Sequence, residues 1–224
     1  MSIRPGEAWG IPTTADPTVT IAGGDHALAS AVDDLGADAL VSFLPDATSD
    51  LARAIGLAPG ATTKTRGIDL PVDAMVVDRA GRAAWAVNAV EVGTPPGSLR
   101  SLSRQHHVSV TVDGRRFHEG PATGVVVANG QFIDGLDVSP RGHPGDGRLE
   151  VQVYALRPGE RGGMRRRLAT GAHVPHPRIR TGSGRVVRIR VRAGAWAVRV
   201  DGRSTGRSGT LEVEVRTAAL HLLI

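Results

Sequence analysis

The spacing of apolar positions changes character near residue 60. Before it, short β-rich runs alternate with helical spacing. Val19-Thr-Ile-Ala22 is followed by Gly23-Gly24-Asp25 and then by Leu28, Ala31, Val32 and Leu35, spaced i, i+3, i+4, i+7. That order predicts a strand, a glycine turn and an amphipathic helix. Ala39-Leu-Val-Ser-Phe-Leu44 is a continuous apolar run closed by Pro45, which predicts a strand buried on both faces. Ser49 or Asp50 is placed to cap a short helix through Ile55, and Gly56 stops it. A β-α-β-α order predicts parallel strands in a small α/β layer.

After Pro59 the runs become short, alternating or β-branched: Val72–Val77, Ala83–Val90, Val108–Val112, Gly124–Ala128, Leu149–Leu156, Val186–Val191, Ala195–Val200, Leu211–Val215 and Ala219–Leu223. Gly, Pro and Asp-Gly pairs separate them, and Asp113-Gly114 and Asp201-Gly202 predict hairpin turns. Many short strands with close turn signals predict an antiparallel sandwich or barrel-like sheet. The expected fold is therefore α+β or α/β, with a small α/β portion over residues 1–60 and a larger antiparallel β-sandwich-like domain over residues 61–224.

Composition narrows the setting. In 224 residues no apolar run approaches the roughly 20 that a membrane-spanning helix needs. Met1–Arg4 opens no charged-then-apolar leader, and the chain has no cysteine, so disulfides, thiolate zinc sites and cysteine nucleophiles are excluded. A cytoplasmic setting is expected. The net charge of +5 hides an asymmetry: fourteen arginines face two acids between Arg157 and Arg207, while the rest of the chain carries thirteen basic and twenty acidic residues. Such a block suits nucleic acid or acidic lipid head groups. In Arg185–Arg192, however, arginine alternates with valine and isoleucine, the pattern of one solvated strand face. Aromatic residues make up only 3% of the chain, so stacking platforms for single-stranded nucleic acid are scarce, and no specific nucleic-acid partner is expected.

The candidate chemistry lies in two strand-to-helix turns. Gly23-Gly24-Asp25 ends a strand and opens a helix, where backbone N–H groups suit a phosphate and the carboxylate suits a metal or a hydroxyl proton. The same turn also reads as plain turn chemistry. About twenty residues on, Phe43–Gly56 supplies a second turn with Asp46, Thr48, Ser49 and Asp50. Adjacent turns at strand carboxyl ends converge on a ligand in open α/β sheets. His106 and His107 point to opposite faces of a strand, and His173 and His176 sit beside prolines in a loop, where surface packing is expected. No His-Glu-x-x-His or full Walker sequence occurs.

The order of these segments resembles the bacterial diacylglycerol kinase and lipid kinase family, within the superfamily of sphingosine and NAD kinases. That family reads Gly-Gly-Asp-Gly-Thr at the first turn and Gly-Thr-Gly-Asn-Asp-Phe/Leu-Ala-Arg at the second. This chain has Gly23-Gly24-Asp25-His26-Ala27 and Asp46-Ala47-Thr48-Ser49-Asp50-Leu51-Ala52-Arg53. Val108–Gly114, Gly124–Gly130, Asp146–Val151 and Trp196–Gly202 resemble successive strands of the family's β domain. The resemblance implies ATP-dependent phosphorylation of a lipid hydroxyl with Mg2+. It also implies Asp25 as the catalytic candidate, Gly23, Gly24, Thr48 and Ser49 as nucleotide-binding, and Asp146 as a metal ligand.

Several departures from the family pattern imply impaired catalysis. His26 and Ala27 replace Gly-Thr, Asp46 brings an extra carboxylate toward the phosphates, and Arg203 stands where the family's Asp-Gly-Glu turn has its glutamate. An arginine offers no acceptor and stays protonated. Only eighteen residues precede Val19, where the family carries a longer nucleotide-binding portion, so a truncated α/β remnant with an exposed sheet edge is expected. A homo-oligomer or partner chain is the expected cover for that edge, and a lipid or anionic membrane surface is a further candidate partner. Three functions follow: an impaired lipid-kinase relative acting as a binding or assembly module, an active kinase completed by another chain, or a basic-face nucleic-acid binder.

Overall fold

The computed structural model describes residues 9–35, 39–60 and 67–224; Met1–Arg4, read above for a leader, lie outside them. The chain opens with β1 (Ile11–Thr13), β2 (Val19–Gly23), α1 (Asp25–Ala31), β3 (Leu40–Pro45) and α2 (Asp50–Ala54). Then come β4 (Gly67–Asp78), β5 (Ala83–Ala86), β6 (Ala89–Gly93), β7 (His106–Val112), β8 (Arg115–Ala122) and β9 (Gly124–Ala128). A small hairpin of β10 (Phe132–Ile133) and β11 (Leu136–Asp137) leads to β12 (Leu149–Tyr154) and the short helices α3 (Pro158–Arg161) and α4 (Met164–Leu168). The chain closes with β13 (Ile179–Gly184), β14 (Val186–Val191), β15 (Trp196–Val200), β16 (Arg203–Ser208) and β17 (Thr210–Leu223).

Two sheets face each other. One runs β1-β4-β17-β14-β7-β8, with β5 beside β4 and the parallel pair β2–β3 joined to β17; the other runs β13-β12-β9-β6-β15-β16. Val187, Ile189 and Val191 point inward from β14 while Arg188 and Arg190 stay exposed, so this stretch of the arginine block is the solvated face that its period-two pattern predicts. Inward residues of both sheets, among them Met75, Val110, Val127, Val151, Trp196 and Val213, form one buried core. A second apolar cluster packs α1 and α2 against β3, β4 and the end of β17 through Leu28, Leu51, Phe43, Leu70 and Leu222.

The α/β portion is stitched to the sandwich by hydrogen bonds. Leu40–Ser42 of β3 run parallel to His221–Leu223 of β17, and β2 pairs in parallel with β3. Both Asp-Gly turns form as predicted, with positive φ at Asp113 and Gly114 and at Asp201 and Gly202, the geometry of a type I′ hairpin.

The sequence pattern missed β8, β13 and β16. Each is an edge strand, and Arg115–Arg116, Thr181–Ser183 and Arg203–Arg207 are too polar or glycine-rich to show as apolar runs. An edge strand needs backbone pairing on one side only, so its side chains carry little signal. The run predicted over Ala83–Val90 is two strands broken at Val87-Asn88, and the runs at 211–215 and 219–223 are one strand with a register shift between Arg216 and Leu220. His173, expected at the surface, is 1% exposed and stacks on Tyr154 with ring centroids 6.4 Å apart.

Candidate functional site: a cleft between the two turns and a hairpin tip

A cleft of about 930 Å³ opens where the carboxyl ends of β2 and β3 face the β15–β16 hairpin tip. Its walls carry Asp25, Asp46, Asp50, Asp134 and Asp201 against two guanidiniums, Arg53 and Arg203. Gly23, Gly24, Thr48 and Ser49 line it as well. The two turns singled out in the sequence therefore do converge. Asp146 does not line the cleft; it sits in a separate loop, where its Oδ1 accepts from the Arg148 backbone N–H at 2.9 Å.

Asp25 is the first residue of α1 and is 5% exposed. Its carboxylate accepts from Ser49 Oγ at 2.5 Å, from Asp50 N at 3.2 Å, and from Leu51 N at 3.2 Å. These donors belong to the first turn of α2, whose N-cap is Ser49 itself, accepting from Ala52 N. Burial raises the Asp25 carboxyl to about 7, against the opposing pull of the Ser49 hydrogen bond.

Asp201 occupies the left-handed first position of the Asp-Gly turn and caps the start of the neighbouring strand β6. Its Oδ1 accepts from Asn88 N at 3.0 Å and Ala89 N at 2.9 Å, and its Oδ2 accepts from Val87 N at 2.9 Å. The interruption between β5 and β6 is the source of these donors, since Val87 and Asn88 leave the sheet ladder there. Desolvation raises Asp201 to about 6 despite its three hydrogen bonds, and its charge in turn helps to raise Asp25. The hairpin prediction located Asp201 but gave it no place in the site; the tertiary contact with residues 87–89 was invisible in the sequence.

Arg199 anchors the hairpin from below. Its Nη1 meets Glu91 Oε2 at 2.6 Å and Asp134 Oδ2 at 3.0 Å, and its Nη2 donates to the Gly202 carbonyl at 3.0 Å. Glu91 is 4% exposed, and burial pushes its carboxyl upward against the pull of Arg199. On the opposite wall, Arg53 lies over the Phe132 ring and donates to the Gly135 carbonyl, while Asp50 accepts from Gly135 N.

Two features of the first turn oppose a phosphate there. The notch beside Gly24, where a phosphate would lie against bare backbone, is taken: a Cβ there would meet Thr48 Oγ1 at 2.6 Å and Asp46 Oδ1 at 3.4 Å. The Thr48 backbone N–H, a donor of the kind phosphates use, is bound at 2.7 Å by the Asp46 carboxylate. That pair of Thr48 hydrogen bonds holds Asp46 below the usual carboxylate range, so the notch carries fixed negative charge. Among the described residues, no three His, Asp or Glu side chains gather as a metal site.

Comparison with known proteins adds to this geometry. Residues 67–224 match the family described as the YegS C-terminal NAD kinase beta sandwich-like domain. Two structures of proteins named as diacylglycerol kinases from Bacillus anthracis superpose with TM-scores of 0.70 and 0.67. They share 16% and 19% identity with this chain, cover 92% of it, and are themselves covered over 77% and 75% of their length. Yeast NADH kinase, solved with NADH, superposes with a TM-score of 0.53 at 14% identity, over 93% of this chain and 61% of its own. At these identities the likeness is one of fold. No curated protein sequence matches the chain.

Proposed function

Because the chain belongs to the family carrying the YegS C-terminal NAD kinase beta sandwich-like domain, within the lipid kinase and NAD kinase superfamily, we propose that it is a kinase relative whose cleft has lost phosphoryl transfer and serves as a binding module. The observation that carries this reading is the use made of the two central carboxylates. Asp25 spans the two turns and Asp201 ties the hairpin tip to the start of the neighbouring strand β6, each accepting from three separate donors. A general base must direct a free lone pair at the substrate proton, and three donors of α2 occupy most of the roughly four acceptor sites of the Asp25 carboxylate. Phosphoryl transfer further depends on charge neutralisation around the phosphates. The cleft instead sets five carboxyl groups against two arginines, with Asp46, held ionised by its Thr48 hydrogen bonds, over the glycine turn.

Assembly with a second chain fits the same reading. Among the described residues β2 pairs only with β3, so its outer edge presents unpaired backbone groups suited to strand addition. Light scattering is expected to return a dimer, and a monomer would remove this part of the proposal.

A titration with ATP, with and without magnesium, tests the main claim. The expected result is no magnesium-dependent saturation, and no phosphatidate above a no-enzyme blank when diacylglycerol is supplied. Turnover that disappears in both Asp25→Asn and Asp201→Asn would overturn it.

A further inference from the structure

The strands that bring Ala89 and Asp201 to the cleft carry a second hollow at their opposite ends. It encloses about 320 Å³, with Gly93 at the end of β6, Arg104 and His106 at the approach to β7, Trp196 at the start of β15 and Arg207 on β16 among its walls. Its apolar side is made of rings. Gly93 leaves its own side bare, and the Trp196 indole lies where a Cβ would stand, 2.6 Å away. The His106 ring packs on that indole with centroids 5.0 Å apart and planes inclined by 47°.

The charged side is positioned before any ligand arrives. On either side of Arg104 the chain is anchored: the Ser103 carbonyl accepts from the buried Arg161 guanidinium at 2.7 Å, and Gln105 Nε2 donates to the Leu156 carbonyl at 3.2 Å. Arg207 stands opposite Ala197 in the β15–β16 pair, and its Nη2 donates to the Ala195 carbonyl at 2.5 Å. One such bond leaves most of the five guanidinium donors of Arg207 for another acceptor. Among the described residues no carboxylate pairs with Arg104 or Arg207. Burial first, then the charges of these two arginines, hold the His106 imidazole below its ordinary value, so both cations bear on one ring of the hollow.

We infer that this hollow binds the phosphate monoester of a small water-soluble molecule, its doubly charged group between Arg104 and Arg207 and its organic body against the Trp196 and His106 rings. Guanidinium forks match phosphate oxygens in geometry and charge, and no acid in the hollow competes for them. The volume lies at the lower end of the range of about 300–1,000 Å³ for small-molecule sites, which suits a compact ester with a body to fill the ringed side. The site stands apart from the acidic cleft, and the inference holds whether or not that cleft binds a nucleotide.

Titration of the full chain with phenyl phosphate at about pH 7.5, where the ester is mostly doubly charged, tests it. Saturable binding is expected, with inorganic phosphate weaker. Arg104→Ser, an exposed position, and Arg207→Ser are each expected to weaken it about tenfold or more, while Arg190→Ser on the solvated face of β14 should bind as the wild type does. A dianion beside His106 offsets the two guanidiniums, so saturation should raise the pH at which the His106 ring titrates, followed by NMR. No saturation would overturn the inference, as would wild-type binding by both arginine variants or a His106 titration that ignores the ligand. Inorganic phosphate binding as well as the ester would mean an adventitious ion only. Binding seen with phosphatidic acid vesicles but with neither soluble probe would assign the charge to a lipid head group and equally overturn it.

Discussion

Ser49 donates its hydroxyl to Asp25 across 2.5 Å while its own oxygen accepts the Ala52 N–H at 3.0 Å. One side chain thus caps α2 and ties that helix to the start of α1, joining the two turns that form one wall of the cleft. Ser49→Ala removes the cap and leaves a buried carboxylate one donor short. The expected loss is about 1–3 kcal/mol of folding stability, read from the shift of a urea midpoint. Thr at the same position keeps both hydrogen bonds and should lose well under half as much.

The raised carboxyl of Asp25 has a pH signature of definite sign. In the unfolded chain it titrates near 3.8 and in the fold near 7, so between those values the folded state holds a proton that the unfolded state has released. Its contribution to stability is complete below about pH 4 and is lost as pH rises through 7. Burial lowers the imidazoles of His26, His106, His118 and His173, which opposes this trend in acid, so the wild-type curve alone mixes the two. The difference between wild type and Asp25→Asn cancels the histidines. Raising the pH from 5 to 8 is expected to lower wild-type stability relative to Asp25→Asn. A difference independent of pH would show that Asp25 titrates normally.

Much of this site was legible because its parts are local. Val19–Leu35 and Ala39–Ile55 announce two strand–turn–helix units through spacing, a cap and a stop, and the structure builds β2–α1 and β3–α2 at those places. Asp201-Gly202 announces its hairpin because only a few residue pairs tolerate positive φ at both turn positions. Nothing local could reveal where that hairpin tip goes. Its target is a break in a distant strand pair at Val87-Asn88, a run whose apolar character reads as one uninterrupted strand. Arg199 was similarly hidden: in Trp196–Val200 it reads as one more solvated arginine, yet it bridges Glu91, Asp134 and Gly202. Burial of polar groups is decided by what packs over them, and for these residues the cover comes from segments more than sixty positions away.

That bridge yields a further expectation. Arg199→Ala strips the countercharge from a glutamate that is 4% exposed, and removing one partner of a buried pair costs about 3–5 kcal/mol. Adding Glu91→Gln removes the stranded charge, so the double variant should regain a large part of that loss in denaturation experiments. If the two losses simply add, the pair does not interact.

Gly93 tests the packing of the sandwich end. It has φ of +92°, and a Cβ there would approach the Trp196 ring to 2.6 Å and the Thr123 carbonyl to 2.8 Å. The Thr123 carbonyl has no room to yield, since Thr123 is fully buried and that oxygen accepts from Thr94 N at 2.9 Å. Gly93→Ala combines a disfavoured backbone conformation with overpacking and is expected to destabilise the fold by about 2–4 kcal/mol, measured by thermal or urea denaturation.

The Asp46 carboxylate fills the notch of the glycine turn, and its removal discriminates between a blocked phosphate site and one that is simply gone. Asp46→Gly frees the Thr48 N–H and deletes one of the five acidic groups in the cleft. Two like charges about 4 Å apart repel by about 1 kcal/mol in water and by more in a partly enclosed cleft, so relief of that repulsion alone is worth about fivefold in affinity for a triphosphate. Asp46→Asn deletes the charge but still accepts from Thr48, and should recover only part of the gain. Titration calorimetry with ATP is expected to rank Asp46→Gly above Asp46→Asn above wild type. Equal absence of binding in all three would mean that the obstruction lies elsewhere, with His26 beside the glycine turn and Arg203 on the facing hairpin tip as the next groups to change.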